Sequence, residues 1–119
     1  MTPDVADCLS APAHAGALDG ADAVGEASGG DRLRVRIGLW LAGDRVARAR
    51  FRATTCASLI AYSEVACRLL EAGAPPDRLD AAALRGGVTG VHPVHRDRAD
   101  LVAAALRGAR AGAAGKGEP

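Results

Sequence analysis

Residues 33–41 read LRVRIGLWL, and residues 46–53 read VARARFRA. In both stretches apolar and polar side chains alternate with a period of two, which is the pattern of a β-strand that buries one face. Gly43 and Asp44 lie between them, where a reversal of the chain is favoured. We therefore predict an antiparallel hairpin whose second strand buries Ala47, Ala49, Phe51 and Ala53.

The register of this hairpin follows from matching the two buried faces, because a slip of one residue would point Phe51 at water. This register leaves a three-residue loop from Gly43 to Arg45. The predicted buried pairs are Leu41 with Ala47, Leu39 with Ala49 and Ile37 with Phe51. On the outer face the predicted pairs are Arg36 with Arg52 and Trp40 with Arg48.

The arginines of the outer face allow two interpretations. One is a solvated surface, on which like charges directly opposite are mildly destabilising and Arg48 stacks on Trp40. The other is a docking surface for an acidic partner. Nucleic acid is the weaker candidate, because the chain carries a net charge of only +1.

Helical periodicity dominates the rest of the chain. The strongest segment runs from Cys56 to Glu71, with an apolar stripe from which Tyr62 and Glu64 face away. Gly73 and the two prolines after it end this helix. Weaker patterns predict one strand around residues 23–25 and helices over 3–9, 77–84 and 97–110. Strands followed by helices predict an α+β domain, with a small antiparallel sheet of about three strands and helices packed on one face.

The chain has 119 residues, of which 49% are hydrophobic and 24% charged. We expect one domain over residues 1–110 and a disordered tail over 111–119, with no membrane-spanning segment and no signal peptide. The few aromatic residues imply an aliphatic core that is marginally stable or supported by a partner. The 3 cysteines have no paired spacing, which disfavours a disulfide framework and favours a reducing cytoplasm.

Cys56 is the cysteine best placed for chemistry, since it stands where a strand meets the first turn of a helix, with Thr55 as the expected N-cap. Free N–H groups and the helix dipole favour a thiolate there. A small buried hydrophobic residue is the equal alternative. Cys67 follows on the same stripe about 16 Å along the axis, too far to share a metal or a disulfide. Cys8 carries no comparable signal.

Two histidines, His92 and His95, lie in the loop before the last helix, and imidazole suits zinc and iron. An ordinary polar loop residue is the plainer interpretation of each. Asp31 follows Gly29-Gly30 and would by itself be a turn residue. The sequence contains no phosphate-binding glycine loop, no Cys-x-x-Cys pair and no nucleophile elbow. No recognised catalytic set therefore appears in the sequence.

Gly30-Asp31, the two strands and the stretch FRATTCA (residues 51–57) resemble the U-type iron–sulfur cluster assembly scaffolds, a family that includes IscU, SufU and the N-terminal domain of NifU. Residues 11–16 (APAHAG) resemble its Asn-Pro-x-Asn-x-Gly segment, and residues 22–25 resemble its first strand. The resemblance covers about residues 4–110 and implies an IscU/SufE-like fold. It also implies assembly of a [2Fe–2S] cluster, with a cysteine desulfurase and cluster-acceptor proteins as partners.

The family uses three cysteines and one aspartate, and the chain departs from this pattern at two of the cysteines. Asp31 matches the aspartate and Cys56 the second cysteine, whereas Gly29 stands at the first cysteine. The third cysteine position falls on Val94 or on Arg96, depending on the alignment. Because histidine can replace cysteine on iron, the resemblance implies a metal or cluster site formed by Asp31, Cys56 and His95 (or His92).

Three functions are consistent with this pattern. The first is a scaffold-like protein of iron–sulfur cluster assembly, which acts as a binding protein and not as an enzyme and binds iron, a labile [2Fe–2S] cluster or a single Fe or Zn ion. The second is a metal-free interaction module that keeps the scaffold fold, holds no cofactor and docks on a cysteine desulfurase or another partner. The third is thiol chemistry at Cys56, such as carrying a persulfide.

Overall fold

The predicted hairpin forms two strands of a three-stranded antiparallel sheet in the computed structural model, which describes residues 2–10, 12–30 and 32–116. The sheet has the order β1-β2-β3, with β1 at Ala23–Gly29, β2 at Leu33–Ala42 and β3 at Arg45–Ala53. The helices are α1 (Val5–Ser10), α2 (Ala57–Glu71), α3 (Ala81–Gly86) and α4 (Arg98–Lys116), with 3₁₀ turns at Pro76–Arg78 and Pro93–His95. This architecture confirms the predicted α+β class.

The hairpin register is confirmed in its central part and wrong at its tip, because Leu41 pairs with Val46 instead of Ala47. A β-bulge between Trp40 and Leu41 shifts the register, so that the loop has only residues 43–44. The bulge turns Val46 into the core and leaves the smaller Ala47 exposed. The confirmed pairs are Ile37 with Phe51, Leu39 with Ala49, Arg36 with Arg52 and Trp40 with Arg48.

β1 is longer than the predicted strand and packs against α4. Gly25 lies where the two backbones meet, since a Cβ built on it would lie 1.8 Å from the Ala105 carbonyl oxygen and 2.3 Å from the Ala109 amide nitrogen. Gly108 faces it from the helix, with its own Cβ position 3.4 Å from the Gly25 Cα. Only residues without a side chain allow two backbones to approach this closely.

α2 is buried on more than one face, because β3, α1 and α4 all contact it. Tyr62 and Glu64 are therefore fully buried, contrary to the prediction that they face away from the buried stripe. The N-cap position belongs to Cys56 and not to Thr55, and the Cys56 side chain makes no capping hydrogen bond. The core around α2 is otherwise mostly aliphatic, as the composition predicted.

The C-terminal helices differ from the prediction in their bounds. The segment predicted as one helix over 77–84 divides into a 3₁₀ turn and α3, because the Asp80 carboxylate caps α3 by accepting a hydrogen bond from the Ala83 N–H at 2.8 Å. α4 continues past the predicted end at Arg110 to Lys116 and so enters the predicted tail. Residues 117–119 of that tail lie outside the described residues. No described helix is long and apolar enough to cross a membrane.

Residues 12–16, here called the strap, run along the outer edge of β3. The N–H of Phe51 donates to the His14 carbonyl at 2.9 Å, and the N–H of Gly16 donates to the Phe51 carbonyl at 3.1 Å. Ala15 and Phe51 form a parallel bridge. The strap thus adds a short parallel pairing to the edge of the antiparallel sheet.

Candidate functional site

Cys56 lies at the N-terminus of α2, where the chain leaves β3. Its backbone is extended, with φ −140° and ψ 116°. The thiol is free and half-buried, whereas Cys8 and Cys67 are fully buried. Burial raises the pKa of both of these other thiols. Of the three cysteines, Cys56 is therefore the one that an ion or a reagent can reach.

His95 lies beside the first turn of the same helix. Its Nδ1 is 3.5 Å from the Oγ of Ser58, two residues along the chain from Cys56. The ring of His92 is 5.8 Å from the ring of His95, and the His92 Nδ1 accepts a hydrogen bond from the Val94 N–H at 3.3 Å. The structure thus brings His95 to the end of the helix that carries Cys56, with His92 packed next to it.

Arg98 lies next to Cys56, although the sequence did not single it out. It is the first residue of α4, its NH1 is 2.7 Å from the Asp97 Oδ1, and its side chain is 17% exposed. Asp97 and, second, the Cys56 sulfur raise the pKa of the Arg98 guanidinium. A positive charge therefore stands beside the thiol. Because Lys and Arg together account for 15 residues of the chain, the sequence contains no signal that distinguishes this arginine.

The turn between β1 and β2 lies next to Arg98 at the start of α4. Gly29 and Gly30 share a cavity of about 370 Å³ with the start of α4, lined also by Leu33, Asp97, Arg98, Asp100 and Leu101. Asp31, the predicted ligand that follows this turn, lies outside the described residues. Within the described ranges no three His, Cys, Asp or Glu side chains form a group that could hold a metal ion.

We call this region the Cys56 corner and define it as Cys56, Ser58, His95, Arg98 and the Gly29-Gly30 turn. Two of the predicted ligands, Cys56 and His95, belong to it. The third, Asp31, remains a prediction.

The two residues that align with the third cysteine of the family have other surroundings. Val94 is 66% exposed. Arg96 lies near the buried Tyr62 hydroxyl, where burial raises the pKa of Tyr62 and the charges of Arg96 and Arg85 oppose that shift. Arg96 is therefore directed towards the second turn of α2, and neither position supplies a metal ligand.

The donor atoms of the corner do not suit an iron–sulfur cluster. Iron–sulfur clusters are held mainly by thiolates, and Cys56 is the only cysteine among the described residues of the corner. Thiolate and imidazole are both common zinc ligands. Arg98 opposes any cation at the Cys56 sulfur, because like charges at short range repel.

A second group of ionisable residues, here called the His14 network, joins the strap to α2. The His14 Nδ1 is 2.6 Å from the Glu64 Oε2, and its Nε2 is 2.8 Å from the Glu71 Oε1. The Arg68 Nε donates to Glu64 at 2.7 Å, and the Arg50 NH1 donates to Glu71 at 2.6 Å. Glu64 is fully buried, so its charge depends on these partners. The network therefore fixes the strap against the helix.

Glu71 makes the stability of the network depend on pH. Burial raises the pKa of Glu71, but hydrogen bonds from the Ala49 N–H, His14 and Arg50 outweigh burial and lower the pKa overall. A carboxyl with a lowered folded-state pKa stabilises the fold above its unfolded pKa, and this contribution is lost as the pH falls through the folded pKa.

Replacing Glu71 with glutamine should therefore lower the free energy of unfolding by about 1–2 kcal/mol at pH 7 and by much less at pH 3. Urea unfolding at both pH values measures the difference. Asp77→Asn is the control, because Asp77 is exposed and its loss should change little at either pH. An equal effect of Glu71→Gln at both pH values would show that the charge of Glu71 does not stabilise the fold.

Comparisons with known proteins agree with the resemblance. The family model for the NifU-like N terminal domain matches residues 1–109. The structure is similar to the crystal structure of a nitrogen-fixing NifU-like protein (N-terminal) from Brucella abortus, with a TM-score of 0.65 and 18% identity over 87% of this chain and 87% of that chain. It is also similar to the crystal structure of a hypothetical protein, with a TM-score of 0.53 and 20% identity over 94% of this chain and 85% of that one. No curated protein matches the sequence. The chain therefore belongs to the family of NifU-like N-terminal domains.

Proposed function

We propose that the protein is a scaffold-like binding protein of iron–sulfur cluster assembly, which holds one iron or zinc ion as cargo at Asp31, Cys56 and His95. The observation that supports this most strongly is that Cys56 is the N-cap residue of α2 and the His95 Nδ1 lies 3.5 Å from the Oγ of Ser58 in the first turn of the same helix. The assignment to iron–sulfur cluster assembly is based on membership of the NifU-like family. On this proposal the protein acts in the cytoplasm, binds without catalysing a reaction, and has a cysteine desulfurase and cluster-acceptor proteins as partners.

Each residue of the corner has a distinct part in holding the ion. Cys56 supplies a sulfur ligand at the N-terminus of α2. The contact of the His95 Nδ1 with Ser58 leaves the Nε2 as the ring nitrogen for a metal. Asp31 supplies a carboxylate. A labile [2Fe–2S] cluster would need further thiolates from a partner, since the corner has only one.

The position of Arg98 suits cargo that is held for a short time. Its positive charge beside the Cys56 sulfur repels a cation there, which weakens the binding of the ion. A scaffold has to release what it holds, so weak binding agrees with the proposed role.

The test is elemental analysis of protein that has been purified anaerobically, incubated with Fe²⁺ or Zn²⁺ and desalted. We expect the wild type to retain a substoichiometric amount of metal, and Cys56→Ala and His95→Ala to retain much less. His92→Ala is the matched control, which should retain as much as the wild type. If His92→Ala loses the metal and His95→Ala keeps it, His92 is the ligand. A wild type that retains no iron or zinc contradicts the proposal.

Arg98→Gln belongs to the same experiment and should bind Zn²⁺ about tenfold more tightly than the wild type, because a nearby positive charge is removed. Competition with a chromophoric chelator measures the affinity. Arg107→Gln, an exposed arginine further along α4, should leave it unchanged. Equal affinities of Arg98→Gln and the wild type would show that Arg98 does not compete for the site.

The second candidate function is the metal-free interaction module, and the position of Arg98 beside Cys56 favours it. In this alternative the positive charge of Arg98 beside Cys56 disfavours a metal ion there, and the corner holds none. An affinity pull-down separates the two functions. Recovery of a cysteine desulfurase by Cys56→Ala as well as by the wild type, with no metal in either protein, supports the module. Recovery of no assembly protein by the wild type contradicts it.

A further inference from the structure

The solvent side of the sheet carries a concentrated positive charge. We call this surface the basic sheet face and define it as Arg34, Arg36, Trp40, Arg48 and Arg52 on β2 and β3. The side chains of Arg34 and Arg36 are 59% and 44% exposed, and Arg48 and Arg52 are also exposed. This face therefore carries four arginines, although the whole chain has a net charge of only +1.

Within the described residues, one carboxylate forms salt bridges with the arginines of the basic sheet face. The Glu26 Oε1 is 2.7 Å from the Arg34 NH2 and 3.5 Å from the Arg36 Nε, so two arginines share it. Within residues 2–10, 12–30 and 32–116, neither Arg48 nor Arg52 makes a salt bridge. The Arg48 guanidinium carbon instead lies 4.9 Å from the centre of the Trp40 ring.

The sheet register places like charges directly opposite each other. Arg36 and Arg52 are cross-strand partners, an arrangement that destabilises a sheet. The register cannot slip to separate them, because the opposite face holds Ile37 against Phe51 in the core. An external anion at this point would relieve the repulsion.

The arginines also form a concave site. Arg34, Arg36 and Arg52 line a depression of about 270 Å³ together with Ala53 and Thr54. The Thr54 Oγ1 accepts a hydrogen bond from the Arg34 N–H at 3.2 Å, which fixes this end of the depression. Thr54 is two residues from Cys56, so the depression lies at the end of the sheet that leads into the Cys56 corner.

We propose that the basic sheet face is a docking surface for an acidic segment of a partner protein, whose Asp or Glu carboxylates pair with Arg36 and Arg52 in the depression. Glu26 is an example of this pairing within the chain, because its carboxylate lies between two arginines of the same face. A docked partner would lie beside the Cys56 corner. This inference goes beyond the proposed metal site and does not depend on it.

A protein partner fits the surface better than nucleic acid does. Single strands are bound by aromatic platforms on which bases stack, and the only aromatic residue of this face, Trp40, is half-buried and engaged by Arg48. Nucleic-acid binding also needs a strongly basic chain, and this chain has a net charge of +1. Carboxylates of a protein segment need only the guanidinium groups.

The test is fluorescence anisotropy with a labelled 12-residue peptide of alternating Glu and Ser, at about 50 mM salt where charge interactions are little screened. We expect Arg36→Glu/Arg52→Glu to weaken binding of this peptide at least tenfold. The milder Arg36→Gln/Arg52→Gln should weaken it by a smaller factor, and it keeps the test valid if the first variant does not fold. The matched control is Arg107→Glu/Arg110→Glu on α4, which makes the same charge change at two exposed positions and should leave binding unchanged.

Two results would overturn the inference. An equal loss of binding in the α4 control would show that the peptide senses only net charge. Tighter binding of a labelled 12-nucleotide oligo(dT) than of the peptide would make the face a nucleic-acid surface instead. Neither result affects the metal analysis of the Cys56 corner, so the two proposals fail independently.

Discussion

Gly25→Ala should remove about 3 kcal/mol from the free energy of unfolding, the largest effect that we expect from a change of one methyl group. The new Cβ would lie 1.8 Å from the Ala105 carbonyl oxygen and 2.3 Å from the Ala109 nitrogen. Both are backbone atoms of α4, so no side chain can rotate away to make room. The helix would have to move off β1 as a whole and lose its contacts with the sheet.

Gly86→Ala is the matched control for this prediction. A Cβ at Gly86 meets nothing within 4 Å. Alanine is also a better helix former than glycine, so this variant should be as stable as the wild type or slightly more stable. Urea unfolding followed by circular dichroism compares the three proteins. If Gly25→Ala and Gly86→Ala are equally stable, α4 does not pack on β1 as closely as the structure shows.

Glu64→Gln should lower the free energy of unfolding by about 3 kcal/mol, because it breaks a buried ionic network. The substitution keeps the shape of the side chain, so it tests the charge and the hydrogen bonds alone. The amide has one oxygen where the carboxylate has two, and Glu64 contacts the His14 side chain at 2.6 Å, the His14 backbone N–H at 2.9 Å and Arg68 at 2.7 Å. The amide nitrogen would face a donor, and the partners would lose their counter-charge.

Glu26→Gln is the control for Glu64→Gln, since Glu26 also binds two positively charged side chains but is 43% exposed. An exposed pair contributes about 0–1 kcal/mol, so this variant should lie close to the wild type in urea unfolding. A double-mutant cycle with His14→Ala tests the contact directly, and we expect a coupling energy of about 1 kcal/mol or more. Additive effects of the two substitutions would contradict the network.

The central hairpin could be predicted from the sequence, because a sheet with one buried face requires strict alternation. Ile37 and Phe51 pair as the alternation demands. The register at the tip could not be predicted from the alternation, because a β-bulge inserts one extra residue into a strand and so interrupts the period of two. The choice of Val46 over Ala47 for the core depends on that bulge.

The burial of Tyr62 and Glu64 was missed for a different reason. A stripe on a helix predicts burial when one face is covered, whereas β3, α1 and α4 cover α2 from several sides. The charge of Glu64 is tolerated there only because His14, 50 residues away in the chain, reaches it. Helical periodicity cannot show a partner so distant in sequence.

The residues of the candidate site could also be predicted from the sequence only in part. Cys56 and His95 were identified by their chemistry and by the family resemblance, and the structure brings both to the start of α2. Arg98 was not identified, because an arginine at the start of a helix has no distinctive pattern and its meaning depends on the contact with Cys56. The part of Asp31 in the site rests on the resemblance.

The strap has a consequence for the association of the protein with itself. β3 is the last strand of the sheet, and an uncovered edge of this kind can recruit a strand from another molecule and start a fibril. Here the N–H of Phe51 donates to the strap, and the N–H of Ala49 donates to the Glu71 carboxylate at 2.8 Å. These two edge N–H groups are therefore not available to pair with a strand of another molecule. Protonation of Glu71 in acid would weaken its hydrogen bond with the Ala49 N–H, so acid should make this part of the β3 edge available for pairing with another chain.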